Sequence, residues 1–311
     1  MSTFHESVLL NEAISSLKLL ENSYIVDATL GYAGHSSNIL ERINKGYLFA
    51  FDQDSEAIIY STEKLKKIRD NFTIFHCNFS NMKEKLNEIG VDTVDGILFD
   101  LGVSSPQLDN KSRGFSYNYD ARLDMRMNKD SKLTAWDVIN KYQEKDLERI
   151  FYEYAESKFA KKLAKKIVLE RSKKTIDTTF ELNEVIQQVI PFKEKIKKHP
   201  SKTIFQAIRI EVNNELEVLK KALIDACSML KVNGRCVVIT FHSLEDRIVK
   251  NIFKELTSTN HILKGDPNLP IDLLPSYRLV NKKVILPSLD EISNNRRSKS
   301  AKLRVIERIK E

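Results

Sequence analysis

Short apolar runs alternate with amphipathic stretches through the first hundred residues of the chain. Each run is rich in aromatic and β-branched residues, and the stretches between the runs repeat their apolar positions with helical spacing, which predicts strands alternating with helices. Strands joined through helices form parallel βαβ units, so we expect an open α/β sheet. The predicted strands are Tyr24–Ala28, Tyr47–Asp52, Thr73–Cys77 and Asp95–Asp100, and the helices between them include Ser36–Ile43 and Ser55–Asp70.

The pattern changes in the middle of the chain. Residues 107–203 form long amphipathic segments without a convincing strand, which predicts an all-helical insert. We therefore expect one α/β domain built from residues 1–106 and 204–311, interrupted by a helical domain. The clearest helical segments of the insert are Glu144–Tyr154, Lys158–Arg171 and Phe180–Val189.

The α/β pattern resumes after the insert. Phe205–Leu230 is predicted to be one long helix, and Asn233-Gly234 is expected to form a turn. A buried strand, a helix and two late strands should follow and complete the sheet. These elements are predicted at Arg235–Phe241, Leu244–Leu256, Arg278–Leu286 and Lys302–Arg308.

Composition excludes several classes of protein. A hydrophobic content of 41% over 311 residues is enough for a folded core and argues against intrinsic disorder. No apolar run approaches the roughly 18 residues of a membrane span, and the N-terminus lacks a signal-peptide pattern, so a cytoplasmic protein is expected. Cys77, Cys227 and Cys236 are an odd, widely spaced set, which argues against a disulfide framework and a zinc site and predicts buried thiols.

Charge is divided unequally along the chain. The formal net charge is +7, of which the first 105 residues contribute −6 and the other residues +13. The basic part favours a polyanionic partner such as nucleic acid, although a solvated lysine-rich surface would have the same composition. The densest basic segments are Lys158–Lys174, Lys193–Lys202 and Arg296–Lys310.

A glycine-containing turn follows the first predicted strand. It runs from Asp27 to Ser36 and contains Gly31 and Gly34 immediately before a helix, where backbone N–H groups can approach a ligand. Asp52 ends the second strand, and an acid at that place can accept hydrogen bonds from ribose hydroxyls. The pair predicts an adenosine cofactor and fits both nicotinamide dinucleotides and S-adenosylmethionine. A purely structural turn with a solvated carboxylate is the alternative.

Asp100 ends the fourth predicted strand, in the segment Asp100–Gln107. Ligands of open α/β sheets lie beyond the carboxyl ends of the strands, so Asp100 is a candidate catalytic residue. An N-cap or turn aspartate is the alternative. The segments Arg113–Tyr117 and Leu123–Met127 are motif-like, but composition gives them no role.

Taken together, these segments resemble the MraW-like, S-adenosylmethionine-dependent methyltransferases that modify the N4 amine of a cytidine in bacterial 16S ribosomal RNA. The resemblance runs nearly end to end. It implies a class I, Rossmann-like α/β fold with a seven-stranded, mostly parallel sheet and an inserted all-helical domain, which is expected to recognise RNA. The matching segments are His5–Glu12, Asp27–Ser36, Asp100–Asp109, Arg113–Tyr117, Leu123–Met127, Phe205–Glu217, Phe241–Lys250 and Arg297–Arg304.

The resemblance also implies a set of site residues. Asp100 is expected to act in catalysis, no metal is expected, and the target is a decoding-centre cytidine in an assembled or nearly assembled small subunit. Ala33 departs from the glycine usual in the family, and Ser7 from a proline. If residue 33 needs a positive φ, its Cβ costs about 1 kcal/mol. The implied cofactor contacts are Ala33, Gly34, His35, Asp52, Phe79, Asp100 and Gln107.

Methyl transfer to an exocyclic amine needs an acceptor and a surface for the base. Asp100 or a carbonyl of Leu101–Ser104 is expected to accept a hydrogen bond from N4, and Phe115, Tyr117 or Phe241-His242 to stack on the base, unless those rings serve packing. Two rival functions stay open at this point. One is a nicotinamide-dependent oxidoreductase, and the other is a non-catalytic RNA-binding assembly factor with a cofactor fold.

Overall fold

The structure is a computed structural model that describes residues 7–191, 200–258 and 274–311. The chain forms two compact units, one of Met1–Gly102 with Leu216–Glu311 and the other of Val103–Glu215. The second unit begins earlier and ends later than the insert expected at 107–203. Both junctions lie beside a residue with positive φ, Gly102 at 96° and Asn214 at 49°, so backbone turns mark them more closely than the hydrophobic pattern does.

The first unit contains a seven-stranded sheet. Its strands are β1 (Tyr24–Asp27), β2 (Tyr47–Asp52), β3 (Phe72–His76), β4 (Val94–Asp100), β5 (Leu230–Thr240), β6 (Tyr277–Leu279) and β7 (Lys302–Arg308). They are ordered β3-β2-β1-β4-β5-β7-β6. The first five strands in that order pair in parallel, and β7 pairs antiparallel with both of its neighbours. The predicted seven-stranded, mostly parallel sheet is therefore confirmed.

Helices of the first unit precede or follow the strands and cover the sheet. Their apolar faces join strand residues in two hydrophobic clusters, which contain Phe51, Phe99 and Phe253 among the large buried side chains. Cys227 and Cys236 are buried free thiols, as predicted, whereas Cys77 is only half-buried. The helices are α1 (Leu10–Leu17), α2 (Gly34–Arg42), α3 (Ser55–Lys66), α4 (Met82–Glu88), α11 (Glu215–Met229), α12 (Ser243–Leu256) and α13 (Leu289–Asn294).

The regular elements described in the second unit are helical, and an irregular segment at 114–134 forms one isolated bridge, from Arg122 to Thr178. Its helices are α5 (Ser105–Asp109), α6 (Ala135–Lys141), α7 (Glu144–Glu153), α8 (Ala160–Arg171), α9 (Thr179–Val189) and α10 (Pro200–Asn213). Leu123, Met125 and Met127 lie in its hydrophobic core. The buried Arg113 donates from Nη2 to the carbonyls of Arg126 and Met127 at 2.9 and 3.1 Å, so the segments 113–117 and 123–127 brace each other inside this unit.

Three predicted elements differ in the structure. The long helix Phe205–Leu230 is wrong, because Asn214 takes a positive φ of 49° and separates α10 from α11. Asn233-Gly234 lies inside β5, where the pairing with β4 shifts register instead of ending. The late strand Arg278–Leu286 shortens to β6, and only Ile285 beyond it forms a bridge, to Leu303.

Within the described ranges, no helix is both long enough and apolar enough to cross a lipid bilayer.

Candidate active site

Three aspartates end the three neighbouring strands β2, β1 and β4. Asp27 closes β1, Asp52 closes β2 and Asp100 closes β4. Because β1 pairs in parallel with both β2 and β4, all three side chains stand at the same edge of the sheet. Ligands of open α/β sheets bind beyond this edge. The two aspartates selected from the sequence are thus brought together with a third.

Asp27 holds the glycine turn in place. Its Oδ1 accepts the Thr29 N–H at 3.1 Å, and its Oδ2 accepts the Ser36 hydroxyl at 2.6 Å. Desolvation raises the pKa of Asp27 above 3.8, and these hydrogen bonds oppose the rise. The side chain is 1% exposed and links the end of β1 to the first turn of α2. Sequence analysis assigned no role to Asp27, and the structure shows that it shapes the turn.

The turn itself leaves little room for side chains. Ala33 precedes α2 with φ 54° and ψ 40° and is fully buried, so the left-handed conformation that would penalise a Cβ is present at this position. A Cβ built on Gly34 would lie 1.8 Å from the Ser7 Oγ. Residue 34 therefore needs glycine for space, whereas Ala33 tolerates a Cβ at the cost of backbone strain.

Asp52 is tied to the same turn. Its Oδ2 accepts the Gly31 N–H at 2.7 Å, and its Oδ1 accepts the Asp54 N–H at 2.8 Å. Burial raises the pKa of the Asp52 carboxyl to about 6, against the lowering effect of these hydrogen bonds. The Gln53 N–H also interacts with this carboxylate, which has about four acceptor positions in all. The carboxylate therefore retains capacity to accept from a ribose hydroxyl while it supports the turn.

Asp100 faces His35 across the carboxyl ends of the strands. The Asp100 N–H donates to the Thr29 Oγ1 at 2.7 Å, and the Asp100 Oδ2 lies 3.5 Å from the His35 Nδ1. Burial lowers the pKa of His35 to about 4, so the imidazole is neutral near pH 7. The Asp100 Oδ1 and the His35 Nε2 are both buried and have no hydrogen-bond partner. Buried polar atoms of this kind require a partner, which a bound ligand can supply.

The surroundings of Asp100 disfavour the ionised form of its carboxyl group. Desolvation raises its pKa well above 3.8, and the neighbouring carboxyls of Asp27 and Glu245 raise it further. Glu245 is 2% exposed and is held by the N–H groups of Phe241 and His242, which donate to its Oε2 at 2.8 and 3.3 Å. Sequence analysis missed Glu245. The spacing His242-x-x-Glu245 is that of a helix capping box and was the available signal.

Phe79 lies in a short 3-10 turn that follows β3. Its ring meets the ring of Phe99 edge-on with centroids 5.6 Å apart. The turn is anchored by Asn78, whose Nδ2 donates to the Gln53 Oε1 at 3.2 Å. Because Gln53 directly follows Asp52, Phe79 stands at the same edge of the sheet as the predicted ribose acceptor.

Gln107 belongs to the second unit. Its Oε1 accepts the Ser104 N–H at 3.1 Å and its own N–H donates to the Ser104 Oγ at 3.3 Å, which completes a capping box at the start of α5. In the structure the side chain thus has a local structural role. Its contact with a cofactor stays a prediction.

The candidate stacking rings divide into packed and accessible ones. Phe115 is 7% exposed and lies in the hydrophobic core of the second unit, which favours packing over stacking for that ring. Tyr117 packs edge-on against Phe205 with centroids 5.7 Å apart. Phe241 lies beside Gly102, where a Cβ would come within 3.5 Å of its ring. Phe241 is half-buried and stays a candidate.

Several basic residues of the segments selected from the sequence form ion pairs or hydrogen bonds within the fold. Lys302 and Arg304 bind Asp246 at 3.0 and 2.8 Å, and the Arg308 Nη1 donates to the Leu230 carbonyl at 2.7 Å, so much of Arg296–Lys310 serves the fold. Most of Lys193–Lys202 lies outside the described residues.

The chain is similar to known proteins over nearly its whole length. The model of the MraW methylase family matches residues 2–309. "Ribosomal RNA small subunit methyltransferase H" of Exiguobacterium sibiricum is 49% identical over 308 residues, covering 99% of each chain. The protein of the same name from Streptococcus mutans is 50% identical over 310 residues, covering 98% of each. A solved putative rRNA-methylase of Clostridium thermocellum aligns with a TM-score of 0.46 at 12% identity, covering 99% of this chain and 100% of that one. The chain belongs to the MraW methylase family.

Proposed function

We propose that the protein transfers the methyl group of S-adenosylmethionine to the N4 amine of a decoding-centre cytidine in 16S rRNA of the small ribosomal subunit. The curated relatives at about 50% identity carry the name of a small-subunit rRNA methyltransferase, which supports the substrate. The observation that carries the reaction is the group of carboxylates at one sheet edge, where the Asp100 Oδ1 is buried and unpartnered.

The residues at this edge fit the cofactor. Asp52 retains acceptor capacity for a ribose hydroxyl after it interacts with the Gly31, Gln53 and Asp54 N–H groups. Gly34 and His35 form the first residues of α2, where backbone N–H groups favour an anionic group such as the cofactor's carboxylate, whereas the Ala33 N–H already donates to the Leu30 carbonyl at 2.9 Å. The unpartnered Asp100 Oδ1 is an acceptor suited to a cationic ligand.

When bound, S-adenosylmethionine supplies a methyl group already activated by the sulfonium charge. The chain has to exclude water, position the amine and accept a hydrogen bond from it. We assign the last role to Asp100, because its carboxyl stands at the end of β4 and the sulfonium of a bound cofactor would favour its ionised form. An acceptor at N4 localises the nitrogen lone pair that attacks in the transition state.

Single-turnover methyl transfer tests the proposal. Undermethylated small subunits and deproteinised 16S rRNA should be offered to the wild type, to Asp100→Asn and to the control Asp95→Asn, whose site is at the opposite end of β4. At saturating cofactor and substrate, Asp100→Asn should slow transfer by about 100-fold or more and the control should not. Mass spectrometry of the rRNA should locate the methyl group on N4 of one cytidine, with subunits as the better substrate.

Other outcomes would assign other functions. A near-normal saturated rate for Asp100→Asn would leave the acceptor to backbone carbonyls of Leu101–Ser104. Membership of a methylase family argues against the nicotinamide-dependent oxidoreductase. The non-catalytic assembly factor would be correct if the wild type bound subunits and cofactor but transferred no methyl group in a single turnover.

A further inference from the structure

Helix α8 of the second unit has one buried and one charged face. Ala160, Leu163, Ala164 and Ile167 are buried, and they recur with the spacing of a helix packed on a core. The opposite face exposes Lys161, Lys162 and Lys165 to solvent. Residues spaced by three or four positions are neighbours on a helix surface, so these ammonium groups project side by side. We refer to the three residues as the α8 lysine stripe.

The other basic residues of the same segment are occupied. Arg171 donates from its guanidinium to the Ile139 carbonyl at 2.5 Å and to the Tyr142 carbonyl, which makes it a packing residue. Three further lysines are paired with acids on the surface. These pairs are Lys166–Glu170 at 2.7 Å, Lys173–Glu170 at 3.1 Å and Lys174–Glu181 at 2.6 Å.

The α8 lysine stripe has no such compensation. Among the described residues, no acidic side chain pairs with any of its three lysines, and the first turn of α8 contains no acid. Lys161 and Lys165 stand four positions apart as like charges, which disfavours the helix. Lys161 and Lys162 also lie near the positive end of the helix dipole, where cations are unfavourable. A charge arrangement that opposes local stability in this way is expected at functional surfaces.

We propose that the α8 lysine stripe binds backbone phosphates of the rRNA substrate. This inference rests on the proposed function and adds to it the part of the second unit that holds the RNA. Phosphate groups neutralise the three adjacent ammonium groups, and the RNA releases condensed counterions when they bind. The contact is independent of sequence, so it positions the substrate and leaves the choice of cytidine to the residues of the proposed active site.

Salt-dependent RNA binding by the full-length protein tests the proposal. The variant Lys161→Gln/Lys162→Gln/Lys165→Gln is compared with the control Lys166→Gln/Lys173→Gln/Lys174→Gln, which removes the same charge from lysines that are already paired. The probe is unmodified 16S rRNA transcribed in vitro. For the stripe variant, the slope of log affinity against log salt should fall by about 2, since each phosphate contact contributes about 0.7 to 0.9. The control should change it much less.

Two further measurements separate the explanations. Replacing the same three stripe residues with arginine should retain the wild-type slope, because charge and not lysine identity is required. In methyl transfer to small subunits, the glutamine variant should raise KM and retain kcat and cofactor affinity. Equal slopes for the stripe variant and its control would overturn the inference, even if the wild type methylates rRNA. An absence of methylation by the wild type would overturn the proposed function and leave the slope comparison valid.

Discussion

Cofactor binding should be coupled to the release of a proton from Asp100. In the free protein, desolvation and the nearby Asp27 and Glu245 carboxyls raise the pKa of Asp100 well above 3.8, so the group holds its proton to a higher pH than an ordinary aspartate. A sulfonium placed near the unpartnered Oδ1 favours the ionised carboxylate and lowers that pKa on binding. A ligand that lowers a pKa binds more tightly as pH rises. Affinity for S-adenosylmethionine should therefore increase with pH over the range in which free Asp100 titrates.

The magnitude follows from the proton count. If one proton leaves Asp100 when the cofactor binds, the affinity changes by about tenfold per pH unit between the pKa of Asp100 in the complex and its higher pKa in the free protein, which corresponds to about 1.4 kcal/mol per unit. Asp52 adds a second step, because its pKa of about 6 means that acidification through pH 6 protonates the proposed ribose acceptor. Protonation of Asp100 and protonation of Asp52 both weaken cofactor binding as pH falls. The two effects must therefore be distinguished by comparing ligands and by comparing variants.

Titration calorimetry with two ligands achieves the separation. S-adenosylhomocysteine has the same adenosine but lacks the sulfonium charge, so both ligands share the Asp52 step and only S-adenosylmethionine should show the full Asp100 step. Calorimetry in buffers of different ionisation enthalpy counts the released protons directly. Asp100→Asn should make the two ligands follow the same pH dependence. If the wild type already treats both ligands alike at every pH, the cation does not lie at Asp100 and the reasoning fails.

Three substitutions test other contacts at the carboxyl ends of β1 and β2. Asp52→Ala should weaken cofactor binding by about 1–3 kcal/mol by calorimetry, and unchanged binding would contradict the ribose assignment. Ala33→Gly should leave cofactor affinity unchanged or improve it. It should also change the free energy of unfolding, measured in urea, by less than about 1 kcal/mol. The relief of about 1–2 kcal/mol of left-handed strain is offset by the loss of a buried methyl group, about 0.8 kcal/mol, and by the extra entropy of the unfolded chain. A loss above 2 kcal/mol would mean that the Ala33 methyl packs better than this balance assumes. Gly34→Ala should destabilise by about 1–3 kcal/mol because of the overlap with Ser7, and Ser7→Gly should restore most of the loss; without that rescue, the crowding is elsewhere.

The sheet could be predicted from sequence because its strands are continuous apolar runs. The predicted Tyr47–Asp52 and Lys302–Arg308 coincide with β2 and β7. Prediction failed where a single backbone angle decides. The apolar spacing of a helix continues through Asn214, and only its positive φ separates α10 from α11. The Asn233-Gly234 pair is an equally good signal for a turn between elements and for an irregularity within β5.

The site residues also differ in how far the sequence predicts them. Asp52 and Asp100 follow apolar runs, so their place at the edge of the sheet could be predicted. Asp27 and Glu245 act through hydrogen bonds to nearby backbone N–H groups, and such local contacts leave only a weak trace in the sequence. The lysines of α8 form one basic run in sequence, and only the structure distinguishes ion-paired lysines from the α8 lysine stripe.

The turn before α2 shows why similar residues in one motif have different requirements. Gly31 has φ 49°, and the nearest atom to an added Cβ is 3.9 Å away, so a substitution there meets strain without a clash. Gly34 is the opposite case, because its Cβ would overlap the Ser7 side chain although its φ is not positive. Ala33 shows that the strain alone is tolerated, since it has φ 54° and a buried methyl. The turn can therefore accept a Cβ where only backbone conformation opposes it and excludes one where another segment fills the space. A larger residue at position 34 is thus expected to require a smaller one at position 7. A substitution at position 33 is not expected to require any change at position 7.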